Sequence, residues 1–141
     1  MSMRTFFILL NEQETDLDYW VDAITSPQKG LSIIRDDLIG TCKFSTMSSA
    51  DMASAITEIT GVETTESILE QAVMRAFLRG YRLEKRQGFT RDDYVLPAQS
   101  HEEHPQIDLP YFNTEEFFSQ LQQRVTERFD SLLQEHGLAM S

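Results

Sequence analysis

The run His101-Glu102-Glu103-His104 is the part of the sequence whose residue types best resemble a metal site. Imidazole and carboxylate groups are common zinc ligands, and two histidines three residues apart can share one face of a helix. The zincin pattern, however, spaces its histidines four apart on a stable helix, with a glutamate as general base. Pro97 and Pro105 flank the run and break regular structure. We therefore predict a solvated loop here, without a metal ion or a cofactor.

The other polar residues form no catalytic set. The pairs Asp36/Asp37 and Asp92/Asp93 would suit an acid–base or two-metal site, but adjacent residues of a strand point to opposite faces of a sheet. Asp36/Asp37 is also typical of a turn. The six glycines are scattered singly, so the sequence contains no glycine-rich phosphate-binding loop. These observations favour a protein without enzymatic activity and predict no catalytic residue.

Half of the positive charge is concentrated in residues 75–91, which hold six of the twelve lysines and arginines and one acid, Glu84. The stretch therefore has a local net charge of +5, whereas the whole chain carries −11. Arginine binds carboxylates and phosphates in bidentate geometry, and Tyr81 and Phe89 add rings for stacking. The stretch is either a recognition surface or an intramolecular counterpart of the acids that follow it. Its basic residues are Arg75, Arg79, Arg82, Lys85, Arg86 and Arg91.

An acidic segment follows, since residues 92–116 contain seven acids, no lysine or arginine, and three of the four prolines. The prolines predict a long loop over about residues 97–112. Long ordered loops often carry binding residues. Aromatic side chains beside the acids would serve as anchors in an interface. We predict that the contact residues are Asp92, Asp93, Glu102, Glu103, Asp108, Tyr111 and Phe112.

The composition is that of a single globular domain, residues 1–141, with 40% hydrophobic and 25% charged residues. Cys42 is the only cysteine, so no disulfide can form within the chain, and we expect it to be buried as a small apolar residue. The longest early apolar run is too short for a membrane span. These features predict a cytoplasmic protein that does not bind membranes.

The first half of the chain predicts the order strand, helix, strand, strand, helix. Residues 4–10 are apolar and β-branched, as in a buried strand. A helix capped by Thr15 or Asp16 follows, and residues 31–35 and 38–45 are expected to form two strands. Ser48 and Asp51 then have the spacing of a capping box. This order is ferredoxin-like in topology only.

The second half predicts a helix from Thr64 or Thr65 to Gly80, with an apolar stripe of residues, and then a hairpin of strands 81–86 and 89–96. A long helix is expected from Asn113 or Thr114 to Gly137, packing against its own chain in preference to a second copy. The predicted fold is therefore α+β, with a mainly antiparallel sheet of four or five strands and helices on one side.

Three functions fit these features. The favoured hypothesis is an acidic protein-binding module that inhibits or neutralises another macromolecule, such as a nuclease, by presenting carboxylates to a basic surface. The alternative is a nucleic-acid-binding or small nuclease-like protein that uses the basic residues of 75–91; the negative net charge makes this less favoured. The third is a homodimer or larger assembly joined through the last helix.

Overall fold

The computed structural model describes residues 16–42, 44, 47–94 and 115–138. This part of the chain contains five α-helices, one short 3₁₀-helix and no β-strand. The predicted α+β fold, with its antiparallel sheet in ferredoxin-like order, is therefore wrong. The elements are α1 (Leu17–Thr25), α2 (Ser32–Ile39), α3 (Ser49–Thr60), α4 (Glu66–Arg86), the 3₁₀-helix (Arg91–Tyr94) and α5 (Glu115–Glu135).

Three helix starts that were predicted from capping residues, those at Asp16, Ser48 and Thr65, are confirmed. The Asp16 side chain accepts a hydrogen bond from the backbone N–H of Asp18 and begins α1. Ser48 and Asp51 form the capping box of α3, in which each side chain accepts from the other residue's backbone N–H. Both contacts satisfy amide groups that have no partner within a first helical turn.

The region predicted to form strands 31–35 and 38–45 contains α2 instead. Asp36 lies inside this helix rather than in a turn, and its buried carboxylate accepts hydrogen bonds from Arg35 at 3.1 and 2.8 Å. Arg35 also donates to Ser49 Oγ at 2.9 Å, which joins α2 to α3. Gly40 ends α2 with a φ of 76°. Tertiary contacts thus outweigh the strand preference of Ile33 and Ile34.

The predicted helix end at Gly80 and the predicted hairpin after it are also wrong, because α4 continues to Arg86. Leu78 and Tyr81, on either side of the glycine, are both buried. Their burial stabilises the helix by more than the roughly 1 kcal/mol that an internal glycine costs. The described residues of the second predicted strand form an irregular segment and the 3₁₀-helix.

Two apolar clusters make up the core, and α5 contributes to both. Its first half packs on α1 around Trp20, and its second half packs on α4 around Leu78. Val125 contacts both clusters. Phe117 and Leu133, which widen the apolar stripe of α5, are buried at these contacts, as expected for a helix that packs against its own chain.

Helices α2 and α3 lie against α4 as well, so α4 is the element that most of the described helices share. None of these helices combines the length and the apolar character that a membrane crossing requires.

Candidate functional site

The longest basic feature of the structure is one side of α4. Successive residues of an α-helix are about 100° apart around its axis, so positions spaced by 4, 3 and 4 residues fall within an arc of about 60°. The continuous helix therefore aligns four arginines over about 16 Å of its length. We call this set the arginine face: Arg75, Arg79, Arg82 and Arg86.

The acids of α4 are segregated from these arginines. Glu66, Glu70 and Glu84 lie about 140–180° around the axis from Arg75, and the buried stripe of the helix points in the same general direction. The arginine face thus points away from the core, and no acid of the same helix stands beside it. Separation of charge on this scale creates a local positive potential in a chain that is negative overall.

The four arginines lack charged partners. Arg75, Arg79 and Arg86 are exposed and Arg82 is half-buried. Among the described residues, none of the four forms an ion pair or a hydrogen bond. The Nε atom of Arg82 is shielded from solvent without a hydrogen-bond acceptor, which is an unfavourable state for a charged group.

The two other members of the predicted basic surface belong elsewhere. Lys85 Nζ lies 2.5 Å from Asp130 Oδ1 on α5, and Arg91 Nε lies 3.7 Å from Asp92 Oδ1 on the 3₁₀-helix. The intramolecular neutralisation that the sequence allowed therefore applies to these two cations. It does not apply to the arginine face, at least within the described part of the chain.

A row of small residues runs along one edge of the arginine face. Ala72 and Ala76 follow each other at a four-residue step and lie about 60° and 100° around the axis from Arg75, with Ala72 exposed and Ala76 half-buried. Two apolar side chains, Ile68 and Leu83, lie on the same side of α4 and are 50% and 56% exposed. The edge therefore combines close access to the backbone with uncovered apolar surface.

A separate groove of about 1070 Å³ lies on the opposite side of α4, between this helix, α2, α5 and the 3₁₀-helix. Gln122 of α5 donates to the backbone carbonyls of Arg91 and Tyr94 at 2.7 and 2.9 Å, which fixes the 3₁₀-helix at the groove margin. Apolar side chains line its base, among them Ile34, Phe77, Phe118, Val125 and Phe129.

The two tyrosine hydroxyls at this groove, those of Tyr81 and Tyr94, are hydrogen-bond donors in neutral solution. Tyr81 donates its hydroxyl proton to Asp130 Oδ1 at 3.1 Å, and burial, together with the nearby carboxylate of Asp130, raises the pKa of Tyr81 well above its ordinary value. Burial and a 2.6 Å hydrogen bond to Glu84 raise the pKa of Tyr94 to about 12. Neither hydroxyl is therefore poised to act as a nucleophile or a base.

Of the acids predicted to contact a partner, two lie in the described structure. Asp92 and Asp93 are exposed on the 3₁₀-helix, where Asp93 accepts hydrogen bonds from the backbone N–H and the hydroxyl of Thr90 at 2.7 and 3.1 Å. Asp93 thus stabilises the local turn. The remaining predicted contact residues and the two histidines that were weighed as metal ligands lie outside the described residues: His101, Glu102, Glu103, His104, Asp108, Tyr111 and Phe112.

Sequence reasoning missed the arginine face because it ended α4 at Gly80 and placed Arg82 and Arg86 on a strand. The signal was the spacing itself, since four arginines at steps of 4, 3 and 4 residues match the helical repeat. Cys42 was also predicted wrongly, because it is exposed.

The described ranges contain no group of three histidine, cysteine or acidic residues that could hold a metal ion, so we assign no metal site there. Comparison of the chain with protein-family models, with curated proteins and with solved structures finds no match.

Proposed function

We propose that this protein is a non-enzymatic protein-binding module that docks an acidic partner on its arginine face. One observation carries the proposal: among the described residues the four aligned arginines have no partner, although the chain has 23 acids and 12 lysines and arginines. With acids in such excess, local charge pairing would be easy to achieve. Like charges four residues apart on a helix instead cost a few tenths of a kcal/mol each. An arrangement that lowers stability and concentrates charge is typical of a binding surface.

The exposed apolar residues favour a protein partner. Ile68 and Leu83 would be buried against an acidic protein surface, whereas a phosphate backbone would leave them in water. The net charge of −11 also opposes the approach of a long polyanion more strongly than that of a short acidic segment.

Nucleic-acid binding is the second candidate. It is supported by the same four guanidinium groups, because arginine binds phosphates in bidentate geometry. It predicts affinity that falls steeply with salt concentration, by about one unit of log–log slope for each phosphate contacted.

The earlier hypothesis of an acidic loop that neutralises a basic partner stays a prediction, because most of its contact residues are outside the described residues. The cytoplasmic location is likewise an expectation. A homodimer through α5 would have to use the polar side of that helix, since its apolar stripe faces α1 and α4.

Affinity capture with charge-reversed variants tests the proposal. The variant Arg75→Glu/Arg79→Glu changes the arginine face, and Lys29→Glu/Arg91→Glu alters the net charge by the same amount at other exposed sites. Each protein is used as bait in lysate from the native host, with and without nuclease treatment, and bound proteins are quantified by mass spectrometry. We expect at least one protein to bind the wild type and the control stoichiometrically and to fall at least tenfold with the Arg75/Arg79 variant.

An identical set of proteins on all three baits would contradict the proposal. If capture depends on nucleic acid, so that partners disappear after nuclease treatment, the second candidate replaces it.

A further inference from the structure

We infer that the ligand of the arginine face is a single acidic, amphipathic α-helix of a partner protein, laid along α4. The inference rests on the proposed function and specifies its partner. It concerns one side of α4: the arginine face itself, the small residues Ala72 and Ala76, and the apolar residues Ile68 and Leu83.

The spacing of the arginines selects a helix. Along the axis of α4, consecutive members of the arginine face are about 6, 4.5 and 6 Å apart. A second helix with carboxylates at steps of 4, 3 and 4 residues repeats these distances and keeps all four charges in register. An extended strand repeats same-side residues every 6.7 Å or so, and would drift by about 4 Å over the same stretch.

The small-residue edge allows such a helix to approach closely. Helices pack with axes about 8–10 Å apart, and the nearer distances require small side chains at the contact. Ala72 and Ala76, one helical turn apart, are such small side chains at the edge of the arginine face. Phosphate groups bound at the ends of extended arginine side chains would not contact these small residues.

The apolar residues specify the second stripe of the partner. Ile68 and Leu83 lie near the two ends of the arginine face, and both are about half exposed. A partner helix with acids on one side and leucine-like residues on the adjacent side would cover them while it pairs with the arginines. Both attractions then act along the same line of contact.

A second copy of this chain fits less well. The outward side of its α5 carries Glu116, Gln120, Gln123 and Glu127, which repeat the steps of 4, 3 and 4 residues but supply two carboxylates instead of four. Gln120 and Gln123 donate hydrogen bonds to Glu116 and Glu127 at 3.2 and 2.9 Å, so these carboxylates already have partners.

Peptide binding to the intact protein tests the inference. The probe is a fluorescent helical peptide with glutamates at steps of 4, 3 and 4 residues and leucines on the adjacent side; a shuffled peptide of the same composition, poly-glutamate and a short DNA duplex serve as comparisons. The proteins are the wild type, Arg75→Glu/Arg79→Glu, and Ala72→Leu, which fills the small-residue edge at an exposed position without changing the charge. Circular dichroism verifies that each variant is folded.

We expect the wild type to bind the aligned peptide at least tenfold more tightly than the shuffled peptide and the duplex. Ala72→Leu should weaken binding of the aligned peptide at least tenfold and leave poly-glutamate binding unchanged. Arg75→Glu/Arg79→Glu should weaken binding of both.

Several results would overturn the inference. Equal binding of the two peptides, or unaltered binding by Ala72→Leu, would exclude helix docking, while continued loss in the Arg75/Arg79 variant would leave the proposed function intact. Tighter binding of the duplex would assign the face to nucleic acid. Arginine-dependent self-association in sedimentation would assign it to a second copy. If charge reversal affects no probe, the proposed function fails as well.

Discussion

Lys85 and Asp130 form an ion pair between α4 and α5, with 2.5 Å between Nζ and Oδ1. The Lys85 ammonium group also lies 5.2 Å from the centre of the Tyr81 ring, and Tyr81 donates its hydroxyl to the same carboxylate oxygen. One carboxylate thus receives two donors from successive turns of α4. Because Lys85 is paired in this way, it is not available to bind a ligand. The arginines of α4 remain available.

The Tyr81 hydroxyl makes stability depend on pH in alkaline solution. Because its folded pKa is raised above the value of about 10 for unfolded chains, its contribution is complete below pH 10 and is lost as the pH rises toward the folded pKa. We expect Tyr81→Phe to lower the free energy of unfolding by about 0.5–1.5 kcal/mol at pH 7. The difference from the wild type should shrink above pH 10.

Urea unfolding at pH 7, 9, 10 and 11 measures this difference. Every other ionisable group is common to the two proteins, so the comparison isolates Tyr81. A gap between the two proteins that stays constant from pH 7 to 11 would argue against the hydrogen bond to Asp130.

Arg75→Glu should leave the fold intact and increase its stability slightly. The change replaces a repulsive pair with Arg79, four residues later, by an attractive pair of about 0.3–0.5 kcal/mol. Urea unfolding gives the free energy, and Arg75→Gln, which removes only the repulsion, should lie between the two. Destabilisation by more than about 1 kcal/mol would mean that Arg75 has a structural contact.

Gly30→Ala and Gly80→Ala should change stability in opposite directions. A Cβ atom at position 30 would lie 2.2 Å from the backbone oxygen of Ile24, in the turn between α1 and α2. Because backbone must move to relieve this clash, we expect a loss of about 1–3 kcal/mol. At position 80 the space is open and alanine is the better helix former, so a gain of about 0.5–1 kcal/mol is expected.

Melting temperature followed by circular dichroism separates these two outcomes. A neutral effect of Gly30→Ala would show that the turn between α1 and α2 adjusts freely, and a loss at Gly80 would contradict its place inside α4.

Leu78→Ala and Leu83→Ala compare the two sides of α4. Leu78 is fully buried in the larger core cluster, so removal of its side chain should cost about 2–5 kcal/mol. Leu83 is largely exposed, and its truncation should change stability by no more than about 0.5 kcal/mol. Denaturation followed by the fluorescence of Trp20, the only tryptophan, measures both values. Similar costs at the two sites would mean that Leu83 is covered.

Local signals in the sequence predicted helices better than they predicted the fold. Asp16, Ser48 and Thr65 cap helices as expected, because a cap depends on residues within one turn. The strand predictions depended on Ile33, Ile34 and the alternation after Gly80, and these short patterns fit a buried helix as well as a strand. The choice between the two was made by distant contacts, such as that between Tyr81 and Asp130, which spacing along the chain does not reveal.

The arrangement of the predicted basic residues could not be read from the sequence for the same reason. Its residues were identified from composition, but their division into aligned arginines and internally paired Lys85 and Arg91 required the continuous helix and the position of α5. The acids expected at the interface remain a prediction, apart from the local role of Asp93 in its turn.

Both core clusters contain residues of α5, and Val125 contacts both clusters. This arrangement affects how the protein folds during synthesis. Ribosomes release helices α1 to α4 before α5, so Trp20 and Leu78 lack their α5 partners until late in translation. The core is therefore completed only after helices α1 to α4 have been synthesised, and until then the nascent chain exposes apolar surface. A ribosome stalled before residue 115 would hold a substrate for chaperones.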